Sequence, residues 1–345
     1  MPEGPVLLGG GDGELLVGRL TGCAHDTKCL HLESRLAEGR YAAMPDEESL
    51  ATAVTRDLQS LNGDQHLRLL HSAAELPERG DEAAELEAMS AYADRTSGGI
   101  ARAERLDGNI GYLDVRPLLF PPALAGEAVA AAMTLIAPTD ALLIDVRRCL
   151  GGSPDMVAML CSYLFGGEPV HLIDVLDRPA ADGTTKVRQS WTMPFTPGRR
   201  FGPDKPVFVL TSGTTFSGAE ELSYDLQQLG RAVVVGEATR GGAHPTERFR
   251  IRPHLQAAIP VARSLSPATG GNWEGTGVLP DVAVPAGEAP GAAYQRALAH
   301  VLSLGDDGDR SETATEARRV LDGWPGPLDR STMAPAGAWA AGGIG

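Results

Sequence analysis

The sequence predicts an α/β protein, with a small amino-terminal helical domain over residues 29–98 and a core of strand–turn–helix units over 99–304. Three observations carry this expectation. Residues 141–147 and 206–210 are near-continuous apolar runs, the pattern of parallel strands covered on both faces. Each run ends in a turn, with Gly151-Gly152 in the first and Ser217 closing the second, and each turn opens into a helical pattern. Residues 46–61 set Leu50, Val54, Leu58 and Leu61 on one helical face behind Asp46, a natural N-cap.

Taken in order, residues 1–28 are Gly-rich and aperiodic and read as an irregular segment. Within them, residues 20–23 have the look of a lipoprotein cleavage site. Glu14 and Arg19 break the apolar stretch before it, so no signal peptide is expected. A helix is expected over 29–39, stopped by Gly39. The Asp46 helix follows, then an Asn62-Gly63 turn and a short strand over 67–70. Residues 75–95 are acidic and helical, and Gly98-Gly99 marks the boundary. The core then reads strand 108–115, helix 121–137, strand 141–147, helix 155–164 and strand 170–176. A polar, Pro-rich excursion over 191–206 leads to strand 206–210 and to helix 219–229, with Leu222, Leu226 and Leu229 on one face. Strands over 232–236 and 259–264, a turn-rich loop over 272–281 and a helix over 289–303 complete the core. Residues 305–345 are acidic, then Ala/Gly/Pro-rich, and read as a tail with a helix at 311–322.

Composition bounds the function. Hydrophobic residues make up 43% and charged residues 22% of the 345, which are globular values. The net charge of -15 argues against nucleic acid or an anionic membrane as a partner. No apolar run reaches membrane-spanning length. Four cysteines are too few for a disulfide framework, so reduced thiols and a cytoplasmic location are expected. The cluster from Cys23 to His31 lacks zinc-site spacing, and no metal or organic cofactor is expected. The oligomeric state is left open.

The chemistry centres on Ser217, where a strand hands over to a helix. Helix N-termini leave N–H groups unpaired and carry partial positive charge, so a serine there can attack while the next N–H holds an oxyanion. The plain reading is that Ser217 is an N-cap. Lysine occurs only at Lys28, Lys186 and Lys205, which limits the bases that could activate a serine. His66 sits at a turn–strand junction, where a lone histidine is ordinarily structural.

Five segments, in order, resemble the tail-specific (C-terminal processing) serine peptidase family, in the branch similar to interphotoreceptor retinoid-binding protein and the tricorn protease core. They are Asn62-Gly63-Asp64-Gln65-His66-Leu67, the Ile144 to Pro154 turn, Thr211 to Glu221, Val234 to Pro245, and Asn272 to Asp281. The resemblance covers about residues 30 to 290. It implies a crotonase-like ββα spiral core and a peptide or protein substrate, and no PDZ insertion is recognisable. It implies Ser217 as nucleophile, with Gly218 and Gly151 or Gly152 as oxyanion donors. Gly242 stands where bacterial members carry a lysine base, so a Ser–Lys dyad is excluded. The tricorn-like arrangement makes His66 the base and Glu274 its partner, with Gln65 where tricorn has a bridging serine. His244 is the rival base, and Trp273 a candidate wall of a substrate pocket. Cys149 and Leu150 replace the family's Asn and Gly. The expected function is peptide hydrolysis through an acyl-enzyme. The alternatives are a binding protein for retinoid- or fatty-acid-like ligands and an esterase or amidase acting on a small metabolite.

Overall fold

The computed structural model describes residues 27–324 apart from 43, 62, 77–81 and 181. The irregular segment up to residue 26, the 20–23 site, Cys23, Asn62 and the tail beyond 324 lie outside the described residues. The described residues open with helices α1 (Thr27–Ala37) and α2 (Glu47–Gln59), strand β1 (Arg68–His71) and helix α3 (Glu82–Arg95). Next come β2 (Ile100–Leu106), β3 (Ile110–Val115), α4 (Pro122–Ile136), β4 (Ala141–Asp145) and α5 (Pro154–Leu164). Strands β5 (His171–Asp177), β6 (Val187–Trp191) and β7 (Val207–Thr211) precede helix α6 (Gly218–Gln228). Strands β8 (Val233–Gly236), β9 (Thr246–Arg252), β10 (Leu255–Pro260), β11 (Ala262–Leu265) and β12 (Val282–Ala283) follow. Helices α7 (Ala289–Ser303) and α8 (Ser311–Asp322) are the last elements among the described residues.

Two compact units emerge. The first comprises Met1–Met89, Leu176–Lys186 and His244–Ser264. Its helices are those the apolar spacing predicts, and Asp46 caps α2 by accepting the Ser49 N–H at 2.7 Å. It is not purely helical, however. β1 pairs antiparallel with β10, and β10 with β9, in a three-stranded sheet. Leu50, Val54 and Leu58 of α2 pack with Leu67, Leu69, Leu255 and Ile259 in one core. The hairpin of β9 and β10 escapes a sequence reading because β9, Thr-Glu-Arg-Phe-Arg-Ile-Arg, buries little beyond Phe249 and Ile251. Such a strand forms because a partner strand distant in sequence offers the matching edge.

The second unit comprises Ser90–Val175, Val187–Ala243 and Leu265–Gly345. Its six-stranded sheet has the order β12-β8-β7-β4-β3-β2, parallel from β12 through β3 with β2 antiparallel at the edge. Side chains alternate strictly. Leu142, Ile144, Val207 and Val209 face one core, with Val129 and Met133 of α4, Leu160 of α5 and Leu222 and Leu226 of α6. Leu143, Phe208 and Leu210 face the other, with Ala293 and Leu298 of α7 and Leu321 of α8. Both faces are therefore covered, as near-continuous apolar strands require. β2 is the edge strand that sequence misses, because Ala-Arg-Ala-Glu-Arg carries charges suited to an exposed edge. β4 and β7 are neighbours, with Asp145 opposite Leu210, so the turns that follow them emerge side by side at the carboxyl edge of the sheet.

Candidate active site

The turn after β7 is held onto the turn after β4 by hydroxyl groups. Thr215 Oγ1 donates to the Val146 carbonyl at 3.0 Å. Ser212 Oγ and Thr214 Oγ1 donate to the Arg147 carbonyl at 2.6 and 2.8 Å. The Phe216 N–H reaches the Cys149 carbonyl at 3.2 Å. The run of Ser and Thr before Ser217 thus bonds the Val146 and Arg147 carbonyls just past the end of β4.

Ser217 closes this turn at φ 54° and ψ −122°, a backbone region that residues other than glycine rarely occupy. That is not the extended geometry of an ordinary N-cap. The Ser217 carbonyl accepts the N–H groups of Glu220 and Glu221, at 2.8 and 2.9 Å. The Glu220 carboxylate takes the Ser217 N–H at 2.7 Å. Two glycines of the neighbouring turn approach closely. A Cβ on Gly151 would stand 2.7 Å from Ser217 Cβ, and one on Gly218 would stand 2.9 Å from the Gly152 carbonyl oxygen. Gly151 and Gly152 carry φ of 105° and 138°. Among the described residues, no acceptor takes the N–H of Gly151, Gly152 or Gly218. Leu150, standing where the family has glycine, needs no left-handed backbone. Its side chain points outward, and its N–H bonds the Pro117 carbonyl at 2.9 Å. Cys149 is buried, and burial pushes its thiol up to about 12, so it is inert beside the serine.

Glu220 is the residue that sequence reading undervalued. It is fully buried, and four groups donate to its carboxylate. Thr239 Oγ1 and the Gly241 N–H reach Oε1 at 2.6 Å each. The Gly242 N–H, at 2.9 Å, and the Ser217 N–H reach Oε2. Burial outweighs these donors and raises its carboxyl above the ordinary value of 4.5. The signal was present as Ser217-x-x-Glu220, a capping-box spacing. What spacing could not reveal is that the same carboxylate also fixes the 239–242 loop.

That loop and its neighbour hold two further candidates. Glu274 Oε2 accepts the Ala243 N–H at 2.7 Å, and the Glu274 N–H bonds Asn272 Oδ1 at 3.0 Å. Trp273 is 2% exposed, donates its indole N–H to the Gly242 carbonyl at 2.8 Å, and packs against Tyr224. It supports the loop from inside the core and is no open pocket wall. Lys205, whose ammonium burial and then the Arg199 charge bring down to about 8, bonds the Ala137 and Thr139 carbonyls at 2.6 and 2.8 Å. These groups lie before β4 and β7 begin, so Lys205 sits at the amino edge of the sheet. A five-residue strand, roughly 16 Å long, separates that edge from Ser217. A depressed lysine pKa is here a structural by-product, not a base.

In the first unit, Asp64 joins the two candidate histidines. Its Oδ1 accepts the His66 N–H at 3.0 Å, and its Oδ2 lies 3.3 Å from His244 Nδ1. His66 and Asp64 are buried, and His244 is half-buried. Gln65 turns its amide onto its own loop, donating to the Gly63 carbonyl at 3.0 Å. Asp64 carried no signal of its own in the sequence, because its link to His244 spans 180 residues.

Behind Ser217, α6 buries Glu221 and Asp225 one turn apart. Glu221 Oε1 and both Asp225 oxygens have no protein hydrogen-bond partner among the described residues. Burial, and then the Asp155 charge, pushes the Glu221 carboxyl up to about 7. Burial and Glu221 hold Asp225 well above its ordinary range. The folded state therefore keeps protons that the unfolded chain releases near pH 4.5. Stability is expected to fall as pH rises from about 4.5 through about 7, and Glu221→Gln is expected to flatten that fall. Denaturant titrations at pH 5, 6, 7 and 8 check the slope.

Ser217 thus stands in a strained strand-to-helix turn beside backbone N–H groups that have no acceptor among the described residues, a geometry that serine hydrolases of α/β architecture also use. Sequence comparison narrows the class. Residues 109–284 match the profile described as peptidase family S41. Residues 27–98 match the profile described as the N-terminal domain of Peptidase_S41 in eukaryotic IRBP. The chain belongs to peptidase family S41, a family of serine peptidases. Among solved structures it is similar to a lipoprotein from Streptococcus agalactiae, at 16% identity and a TM-score of 0.51, covering 82% of this chain and 93% of that one. It is also similar to a protein of Parabacteroides merdae described as a candidate peptidase, at 17% identity and a TM-score of 0.54, over 79% and 89% of the two chains. The photosystem II D1 C-terminal processing protease matches at 20% identity over 55% and 46%, with a TM-score of 0.39.

Proposed function

We propose that the protein cleaves peptide bonds through an acyl-enzyme on Ser217, with a histidine as general base. His66 is the first assignment and His244 its rival. The observation that carries the reading is the strained Ser217 set among the N–H groups of Gly218, Gly151 and Gly152, none of which has an acceptor among the described residues. Ser217 Oγ attacks the scissile carbonyl carbon while the imidazole takes its proton. The developing oxyanion accepts from these N–H groups, each such donor being worth about 3 kcal/mol of barrier. Collapse expels the amine, which takes the proton from the imidazolium. Water then releases the acid by the reverse sequence. Glu274 and Gln65 are the orienting residues that the family resemblance implies, and Asp64 joins them because its carboxylate meets His244 Nδ1.

The same reading takes the core as a ββα spiral of the crotonase kind without a PDZ domain, and the location as cytoplasmic. Hydrolysis of a peptide panel beside an ester panel tests the function. Turnover of peptides that disappears in Ser217→Ala supports it, and a fully active Ser217→Ala enzyme refutes it.

A further inference from the structure

We propose that Arg240 makes the enzyme prefer a substrate with an Asp or Glu side chain within about four residues of the scissile bond; this deepens the peptidase reading above and rests on it. Arg240 is exposed, and its guanidinium carbon lies over the Phe216 ring, 4.7 Å from the ring centroid. Phe216 is buried and is the residue before Ser217. Among the described residues no acceptor or anionic group takes the Arg240 guanidinium, although the chain has 45 acidic residues against 30 basic ones. A contact with a ring face uses none of the guanidinium N–H donors as a hydrogen bond, so they remain available to a carboxylate.

Arg240 is fixed to the nucleophile from both sides. Its N–H donates at 3.1 Å to the carbonyl of Thr215, which lies just before Phe216 and Ser217. Its neighbours Thr239 and Gly241 both donate to Glu220 Oε1 at 2.6 Å, and the other oxygen of that carboxylate takes the Ser217 N–H. One buried carboxylate therefore sets the position of both the arginine's backbone and the nucleophile. The loop's own acid, Glu237, is engaged elsewhere, accepting the N–H groups of Gly213 and Ala286 at 3.2 and 2.9 Å. A guanidinium seated on an aromatic ring loses little further freedom when it binds.

The ring contact bounds how far this charge lies from the reaction. One Cα step and the length of the Phe216 side chain place the guanidinium within about 12 Å of the Ser217 Cα, a span that an extended peptide covers in about four residues. Arg240 is exposed, so a bound chain can run on past it, and a side chain branching from that chain is what meets it. An arginine whose only role were to shield Phe216 would contribute its stem and not its charge. Arg240→Met separates the two roles, because it keeps most of the stem and removes the charge.

The test is a decapeptide library, acetylated and amidated so that neither terminus is charged, in matched sets with Glu, Gln or Lys placed one to four residues from each cut. Cleavage is read by mass spectrometry at low and high salt, with covalent labelling of Ser217 by a fluorophosphonate in parallel. Wild type is expected to cleave the best Glu form about fivefold faster in kcat/KM than its Gln match at low salt, the size of one well-formed exposed ion pair. The Lys form should be the slowest, and the spread should narrow at high salt as the charges are screened. Arg240→Met is expected to bring the Glu-to-Gln ratio close to unity, Arg240→Lys to keep part of it, and Arg240→Glu to turn the preference toward Lys. Equal cleavage of the Glu and Gln forms by a labelled wild-type enzyme, or a Glu preference that survives in Arg240→Met, overturns the Arg240 assignment and leaves the peptidase reading standing. Absence of both cleavage and labelling overturns both.

Discussion

Ser217→Gly is expected to abolish peptide hydrolysis while making the protein more stable. The two effects have separate causes. Ser217 holds φ 54° and ψ −122°, a conformation that costs a non-glycine residue about 1–3 kcal/mol. Glycine adopts it without strain but gives up about 0.5–1 kcal/mol through its freer unfolded chain. The net gain is about 1 kcal/mol, read as a higher urea midpoint at unchanged slope. Removal of the nucleophile is expected to lower kcat by about 10⁴-fold or more. Ser217→Ala should lose the activity equally and gain no stability, because alanine inherits the strain. A Ser217→Gly protein less stable than Ser217→Ala would contradict the strain argument.

Glu220→Ala is expected to be the most destabilising single change near the site. It strips the acceptor from the Thr239 hydroxyl and from the N–H groups of Gly241, Gly242 and Ser217. An orphaned buried donor costs about 1–3 kcal/mol, and partial relaxation brings the sum to about 3–5 kcal/mol. Thermal unfolding should drop by about 10 °C, at 2–4 °C per kcal/mol for a chain of this size. Activity should be lost beyond what stability explains, because Ser217 is fixed through its own N–H. Glu220→Gln keeps an acceptor oxygen and should fall between the two. A Glu220→Ala protein within 1 °C of wild type would show that the clamp does not hold the turn.

What sequence revealed and what it hid follow from the range of each interaction. The strands at 141–145 and 207–211 were legible because burial on both faces writes itself into continuous apolar runs. Ser217 was legible because a strand, a turn and an amphipathic helix follow each other locally. The Gly151 and Gly152 turn was recognisable from glycines that a close backbone approach demands. Hidden were the features set by distant partners. Thr215 reaches Val146 across 69 residues, Glu220 reaches Gly242 across 22, and Asp64 reaches His244 across 180. β9 was hidden for the same reason, since its polar pattern makes sense only beside β10. For Trp273 the sequence left two readings open, pocket wall and core. A tryptophan in a Gly-rich loop suggests a pocket wall, yet its N–H found a buried carbonyl and its ring the core.

The central claim is that Ser217 is an activated nucleophile with a histidine base. Labelling with a fluorophosphonate probe, read by peptide mass spectrometry on wild type, His66→Ala and His244→Ala, tests it most directly. The account predicts phosphonylation of the Ser217 peptide in wild type and its loss in His66→Ala. Loss confined to His244→Ala would transfer the base to that residue. A folded wild-type protein that takes no label at Ser217 would contradict the account.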